Sequence, residues 1–135
     1  MILAYYSRTG NTSDFLDWYF PEYERRNIEV WDADAPFVLF TPTYDFGEVP
    51  EEVRKWLHKD TDEFYDDMPG VPKTNSAHME AVVAGGNRNF GSLFGESGDK
   101  IEAKYGVPLL MKYELKGNPL VAELVKERMS ELLPK

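Results

Sequence analysis

The chain contains no cysteine. A disulfide scaffold, a thiol nucleophile, a CxxC redox pair and an iron–sulfur cluster are therefore excluded. No apolar run approaches the length of a membrane span. Positive charge is also scarce: 15 Lys and Arg stand against 24 Asp and Glu, a formal net charge of −9. Nucleic-acid binding rests on neutralising phosphates with Lys and Arg, so this balance argues against it. An acidic chain instead suits docking on a basic patch of a partner. Only two histidines occur, His58 and His78, in no ligand-like cluster, so surface roles are expected and a metal site is not. The Gly-Lys-Ser/Thr of a P-loop is missing, and Tyr6 and Ser7 stand where a receiver-type signalling module would carry its acidic cluster.

What is present is a chain of 135 residues, 42% apolar and 14% aromatic. That suits one domain, residues 1–135, with a substantial core. Met1-Ile2-Leu3-Ala4 runs into strand-like sequence with no basic region or cleavage site, so a cytoplasmic protein is expected.

Residues 2–6, 37–40 and 81–84 are apolar runs without polar alternation, the pattern of strands buried on both faces of a parallel sheet. Ile28-Glu29-Val30-Trp31 alternates and is expected to be an edge strand, with 22–27 as polar linker; residues 109–115 read as the last strand. Helices are expected between them. The first carries Phe15, Leu16, Tyr19 and Phe20 and ends at Pro21. The second opens at Pro50, with Val53, Trp56 and Leu57 on one face. The third runs through Phe94, Ile101 and Tyr105 to Gly106, with Ser97 and Gly98 leaving room for close packing. The last is capped by Asn118 with Pro119 at its first position. Residues 60–78 have no period and read as an acidic surface excursion, and Trp18, Trp31 and Trp56 as packing residues. Strands alternating with helices give a parallel α/β sandwich, whose ligands bind beyond the carboxyl ends of the strands.

Three loops fall on that edge. Ser7, Arg8, Thr9, Gly10, Asn11 and Thr12 form a strand-to-helix turn suited to a phosphate: helix-start amides point outward, glycine bends at low steric cost, and hydroxyls donate without adding charge. The same residues would also serve as an ordinary helix cap. Thr41, Pro42, Thr43, Tyr44, Asp45, Phe46 and Gly47 form the second loop, and Gly85, Gly86, Asn87, Arg88, Asn89, Phe90 and Gly91 the third. Tyr44, Phe46 and Phe90 are candidate walls for a flat ligand. Arg88 is open to contact with a ligand, with a partner, or with neither.

Flavodoxin-like proteins bind FMN with such loops, and Ser7 to Thr12 resembles their phosphate loop. The resemblance narrows. Ser7-x-Thr9-Gly10-Asn11, Thr41-Pro42-Thr43-Tyr44 with Gly47-Glu48-Val49-Pro50, Gly86-Asn87-Arg88-Asn89-Phe90-Gly91, and Val107-Pro108-Leu109 before Lys112-Tyr113-Glu114-Leu115-x-Gly117 are similar, in that order, to the NrdI family. These are the flavodoxin-like activators of class Ib ribonucleotide reductase. The resemblance implies a three-layer α/β/α sandwich with a five-stranded parallel sheet in order 2-1-3-4-5. It implies FMN as cofactor, with the phosphate on the first loop and the ring on the other two. It implies that the reduced flavin converts dioxygen to superoxide, which assembles the dimanganese-tyrosyl radical cofactor of the reductase small subunit. A flavodoxin-reducing partner is implied as well, and no side-chain acid, base or nucleophile. An ordinary flavodoxin electron carrier is the alternative, since the same loops serve both. Two features depart from the family pattern. Asp45 stands where glycine is common at the flavin edge, so potentials different from those of a glycine-containing relative are expected. The acidic 60–78 segment is longer than in many members.

Overall fold

The uninterrupted apolar runs form the centre of a parallel sheet. The computed structural model describes residues 1–44, 47–59, 74–87, 91 and 93–132. Five strands, β1 (Ile2–Tyr5), β2 (Glu24–Asn27), β3 (Phe37–Thr41), β4 (Met79–Gly86) and β5 (Leu109–Glu114), lie in the order β2-β1-β3-β4-β5. Every pairing is parallel, as the 2-1-3-4-5 expectation requires. Four α-helices cover the sheet: α1 (Asn11–Tyr19), α2 (Glu51–His58), α3 (Glu96–Tyr105) and α4 (Pro119–Ser130).

Why the central strands lack polar alternation is plain from β3. Val38 and Phe40 pack with Phe15, Leu16 and Phe20 of the α1 side and with Val125 and Met129 of α4. Phe37 and Leu39 point the other way, onto Val53, Trp56 and Leu57 of α2 and Ile101 of α3. Successive strand residues alternate faces, so a strand covered on both sides needs apolar residues throughout. Gly98 brings α3 onto the sheet as its sequence position suggested. A Cβ there would lie 2.5 Å from Leu109 Cδ1 and 2.7 Å from the Ala84 methyl.

The edge strand differs from expectation. It is Glu24–Asn27, while Ile28–Val30 forms one turn of 3₁₀ helix, opened by Asn27 Oδ1 accepting from the Glu29 amide at 2.9 Å. Ile28 and Val30 would share one face of a strand; instead Ile28 is buried and Val30 is 86% exposed. The true strand is polar because it pairs only with β1, and its long side chains are occupied by ion pairs, Arg25 with Asp17 and Arg26 with Glu24. No α-helix intervenes between β2 and β3.

The excursion also needs correction at its end. Residues 60–73 lie outside the described residues, but Asn75–His78 form a 3₁₀ turn whose first residue is wholly buried. Asn75 Nδ2 donates to the Trp56 carbonyl and its Oδ1 accepts from the Ala33 amide, both at 2.7 Å. Trp31 and Trp56 pack as expected, stacked at 5.9 Å. Trp18 does not; it is 56% exposed, with the Lys116 ammonium 5.3 Å from its ring. Asn118 caps α4 by accepting from the Val121 amide at 2.9 Å, with Pro119 at the start. Among the described residues, no helix is long and apolar enough to cross a membrane.

Candidate functional site

β1 and β3 are neighbours in the sheet but their following helices lie on opposite faces, so their carboxyl ends flank a crevice. The turn after β1 enters α1 through Gly10 at φ 90°, a left-handed conformation that costs other residues about 1–2 kcal/mol. Gly10 carries no side-chain cap. Ser7 Oγ instead accepts from the Ser13 amide at 3.2 Å, from outside the helix. The amides of Thr9, Asn11 and Thr12 have no hydrogen-bond partner among the described residues. α1 therefore offers the positive end of its dipole and free donors to the crevice.

The loop after β3 is held rigidly. Thr41 is buried and its hydroxyl donates to the Pro42 carbonyl at 3.1 Å, so it supports the loop and does not line the crevice. Thr43 Oγ1 meets Ser97 Oγ at 2.7 Å, and Ser97 Oγ also donates to the Pro42 carbonyl at 3.1 Å, fastening the loop to the start of α3. Tyr44 and Glu48 exchange backbone hydrogen bonds across a tight turn with Gly47 at φ 79°. The Arg8 guanidinium lies 5.4 Å from the centre of the Tyr44 ring. The Tyr44 hydroxyl is buried and has no hydrogen-bond partner among the described residues. Burial, aided by the neighbouring Tyr6, pushes its pKa above the ordinary tyrosine range, so it stays a neutral donor.

These pieces meet in one cleft of about 210 Å³. Thr9, Asn11 and Thr12 line it from the first loop, Pro42, Thr43 and Tyr44 from the second, and Gly86 and Asn87 from the third. Ser7, Arg8 and Gly10 shape the first loop from behind or beside the cleft, and Gly91 lies exposed at φ 58°. Asp45, Phe46, Arg88, Asn89 and Phe90 lie outside the described residues.

Three lining residues were missed as site residues: Gly85, Tyr113 and Leu115. Tyr113 and Leu115 sat within a motif already noticed, Lys112 to Gly117, but nothing in the sequence said which face of β5 Tyr113 would take or that Leu115 would follow the strand at φ 51°. A slip in pairing decides the face. Val82 faces Leu109 while Val83 faces Met111, leaving Leu110 as an extra residue. Met111 and Tyr113 thereby turn toward α1 and α4, and Lys112 toward Asp99 of α3 at 2.6 Å.

The donor set fits a phosphorylated flavin. Helix-start amides and threonine hydroxyls suit an anion, and the tyrosine and proline surfaces suit a flat ring. Among the residues lining the cleft there is no paired nucleophile and base.

Comparison with known proteins agrees. Residues 3–127 match the family model described as NrdI flavodoxin-like. The NrdI protein of Macrococcus caseolyticus is 36% identical over 122 residues, spanning 87% of this chain and 80% of that protein. The NrdI protein of Bacillus licheniformis is 33% identical over 134 residues, spanning 98% and 90%. In fold, oxidised flavodoxin 2 from Bacillus cereus superposes with a TM-score of 0.58 at 22% identity, covering 97% of this chain and 95% of that one. Fusobacterium nucleatum flavodoxin bound to flavin mononucleotide gives 0.58 at 14% identity, covering 96% of each. The chain belongs to the NrdI flavodoxin-like family.

Proposed function

We propose that this protein binds FMN in the cleft and, once reduced, supplies superoxide for assembling the dimanganese-tyrosyl radical cofactor of a class Ib ribonucleotide reductase small subunit. The observation that carries the FMN reading is the set of unpartnered donors at the start of α1, placed where strand order reverses. That Fusobacterium nucleatum flavodoxin, of the same fold, is bound to FMN supports it. Membership of the NrdI family supports the reductase as partner.

The residues divide the work. Ser7, Arg8, Thr9, Gly10, Asn11 and Thr12 hold the phosphate. Pro42, Thr43, Tyr44, Asp45, Phe46 and Gly47 would flank the ring on one side, with Thr41 supporting their loop from within. Gly86, Asn87, Asn89, Phe90 and Gly91 flank it on the other. Bound FMN would supply the redox chemistry, one-electron reduction of dioxygen at the expense of a reducing partner. The chain supplies grip, orientation and a docking face, working as a cytoplasmic domain over residues 1–135.

The test is cofactor assembly. Reduced protein, dioxygen and the manganese-loaded small subunit are expected to yield the tyrosyl radical by electron paramagnetic resonance. Bound flavin without radical would favour the electron-carrier alternative. Failure to bind added FMN would remove both readings.

A further inference from the structure

Beneath the cleft lies a pair of hydroxyls whose proton count does not close within the protein. Tyr113 Oη and Thr12 Oγ1 are 2.7 Å apart, and the two residues are 1% and 2% exposed. Each hydroxyl brings one proton, and one hydrogen bond uses one of them. Neither oxygen has a second partner among the described residues. Whichever group donates within the pair, one O–H remains to be donated elsewhere, and both residues line the cleft.

The fold holds this pair in place from every side. The Tyr113 ring stacks on Phe15 of α1 at 4.4 Å between centroids and 24° between planes. On its other flank it runs over Gly85, where a Cβ would come within 2.6 Å of Tyr113 Cζ and 2.8 Å of its Oη. The slip between Val82 and Val83 turns Tyr113 to this face. Thr12 sits in the first turn of α1, beside amides that have no partner among the described residues. Burial raises the Tyr113 pKa, opposed only in part by its bond to Thr12, so both protons persist through the neutral and mildly alkaline range.

We propose that Tyr113 is a positioning residue for the flavin phosphate: its bond to Thr12 keeps one hydroxyl proton of the pair directed into the cleft at the start of α1. This rests on the FMN reading above and adds to it a source of preference for FMN over riboflavin, which ends in a hydroxyl where FMN carries the phosphate. An unpaired buried donor is costly, and a phosphate oxygen accepts from it more strongly than a neutral group does.

The experiment is titration of the apoprotein with FMN and, separately, with riboflavin. Wild type is expected to prefer FMN. Tyr113→Phe is expected to weaken FMN about three- to tenfold, the usual net worth of one hydrogen bond, and to leave riboflavin unchanged. Thr12→Val is expected to lower the same ratio from the other end of the pair, and the double variant to lose no more than the two single losses combined. A merely structural role would weaken both ligands together. An unchanged FMN-to-riboflavin ratio in Tyr113→Phe overturns the proposal; should that variant not fold, an unchanged ratio in Thr12→Val overturns it. Wild type that binds neither ligand would refute the FMN reading itself, a result distinct from either.

Discussion

Two buried polar contacts, on opposite faces of the sheet, differ in one respect that separates structure from function. On the α2 face, Asn75 has a partner at each end of its amide: the Trp56 carbonyl takes its proton and the Ala33 amide supplies one. On the α1 face, Tyr113 and Thr12 share one bond and retain a proton. The first contact ties α2 to the loop before β3, away from the cleft. The second opens on the cleft. Burial alone would rank them equally, since all three residues are at most 2% exposed. What distinguishes them is that Thr12 and Tyr113 line the cleft, where a ligand can take the remaining proton, and Asn75 does not.

The comparison can be broken by mutation. Asn75→Ala is expected to have the largest effect on stability, about 2–4 kcal/mol, because it strands a buried N–H and a buried C=O together. Denaturant unfolding would measure it, and the FMN-to-riboflavin ratio should not change; a shift in that ratio would erase the distinction between the two contacts. Gly98→Ala follows, at about 1–3 kcal/mol from overpacking against Leu109 and Ala84, read by the same unfolding curves. Asn118→Ala should cost about 1 kcal/mol through loss of the α4 cap, and a thermal melt suffices to see it.

A pH experiment sharpens the comparison. Asn75 does not titrate, whereas burial holds the Tyr113 pKa above the usual tyrosine value of 10.0. The folded chain therefore binds that proton more tightly than the unfolded chain does. Its contribution is complete below the unfolded value and is lost as pH rises from about 10 toward the raised folded value. Melts above that pH should fall more steeply for wild type than for Tyr113→Phe; parallel slopes would show that Tyr113 is not so held. The smallest effect belongs to exposed ion pairs such as Lys55 with Glu51. Removing that pair should change stability by less than about 0.5 kcal/mol, at the edge of detection in unfolding experiments.

Much of this was legible in the sequence, for reasons that are local. Unbroken apolar runs specify central strands because both faces are covered, and Asn118-Pro119 and Gly106 punctuate helices by their own backbone preferences. The edge strand was illegible because half of its pairing is absent, so ion pairs on Arg25 and Arg26 replace an apolar pattern. Ile28 to Trp31 imitated a strand by chance alternation while Asn27 started a tighter turn. At the cleft, the glycine and hydroxyl loops announced themselves through composition. Tyr113 did not, because the face it takes depends on one slipped residue in β5, which no local preference encodes. Asn75 was hidden for a similar reason. Its two partners lie 42 and 19 residues away, and a polar residue at the end of an acidic stretch resembles surface.

The most direct test of the account is the visible spectrum of the purified protein titrated with FMN. The account predicts saturable binding of one flavin per chain, with a band perturbed from that of free FMN. Flavin that remains spectrally free at every protein concentration would contradict it.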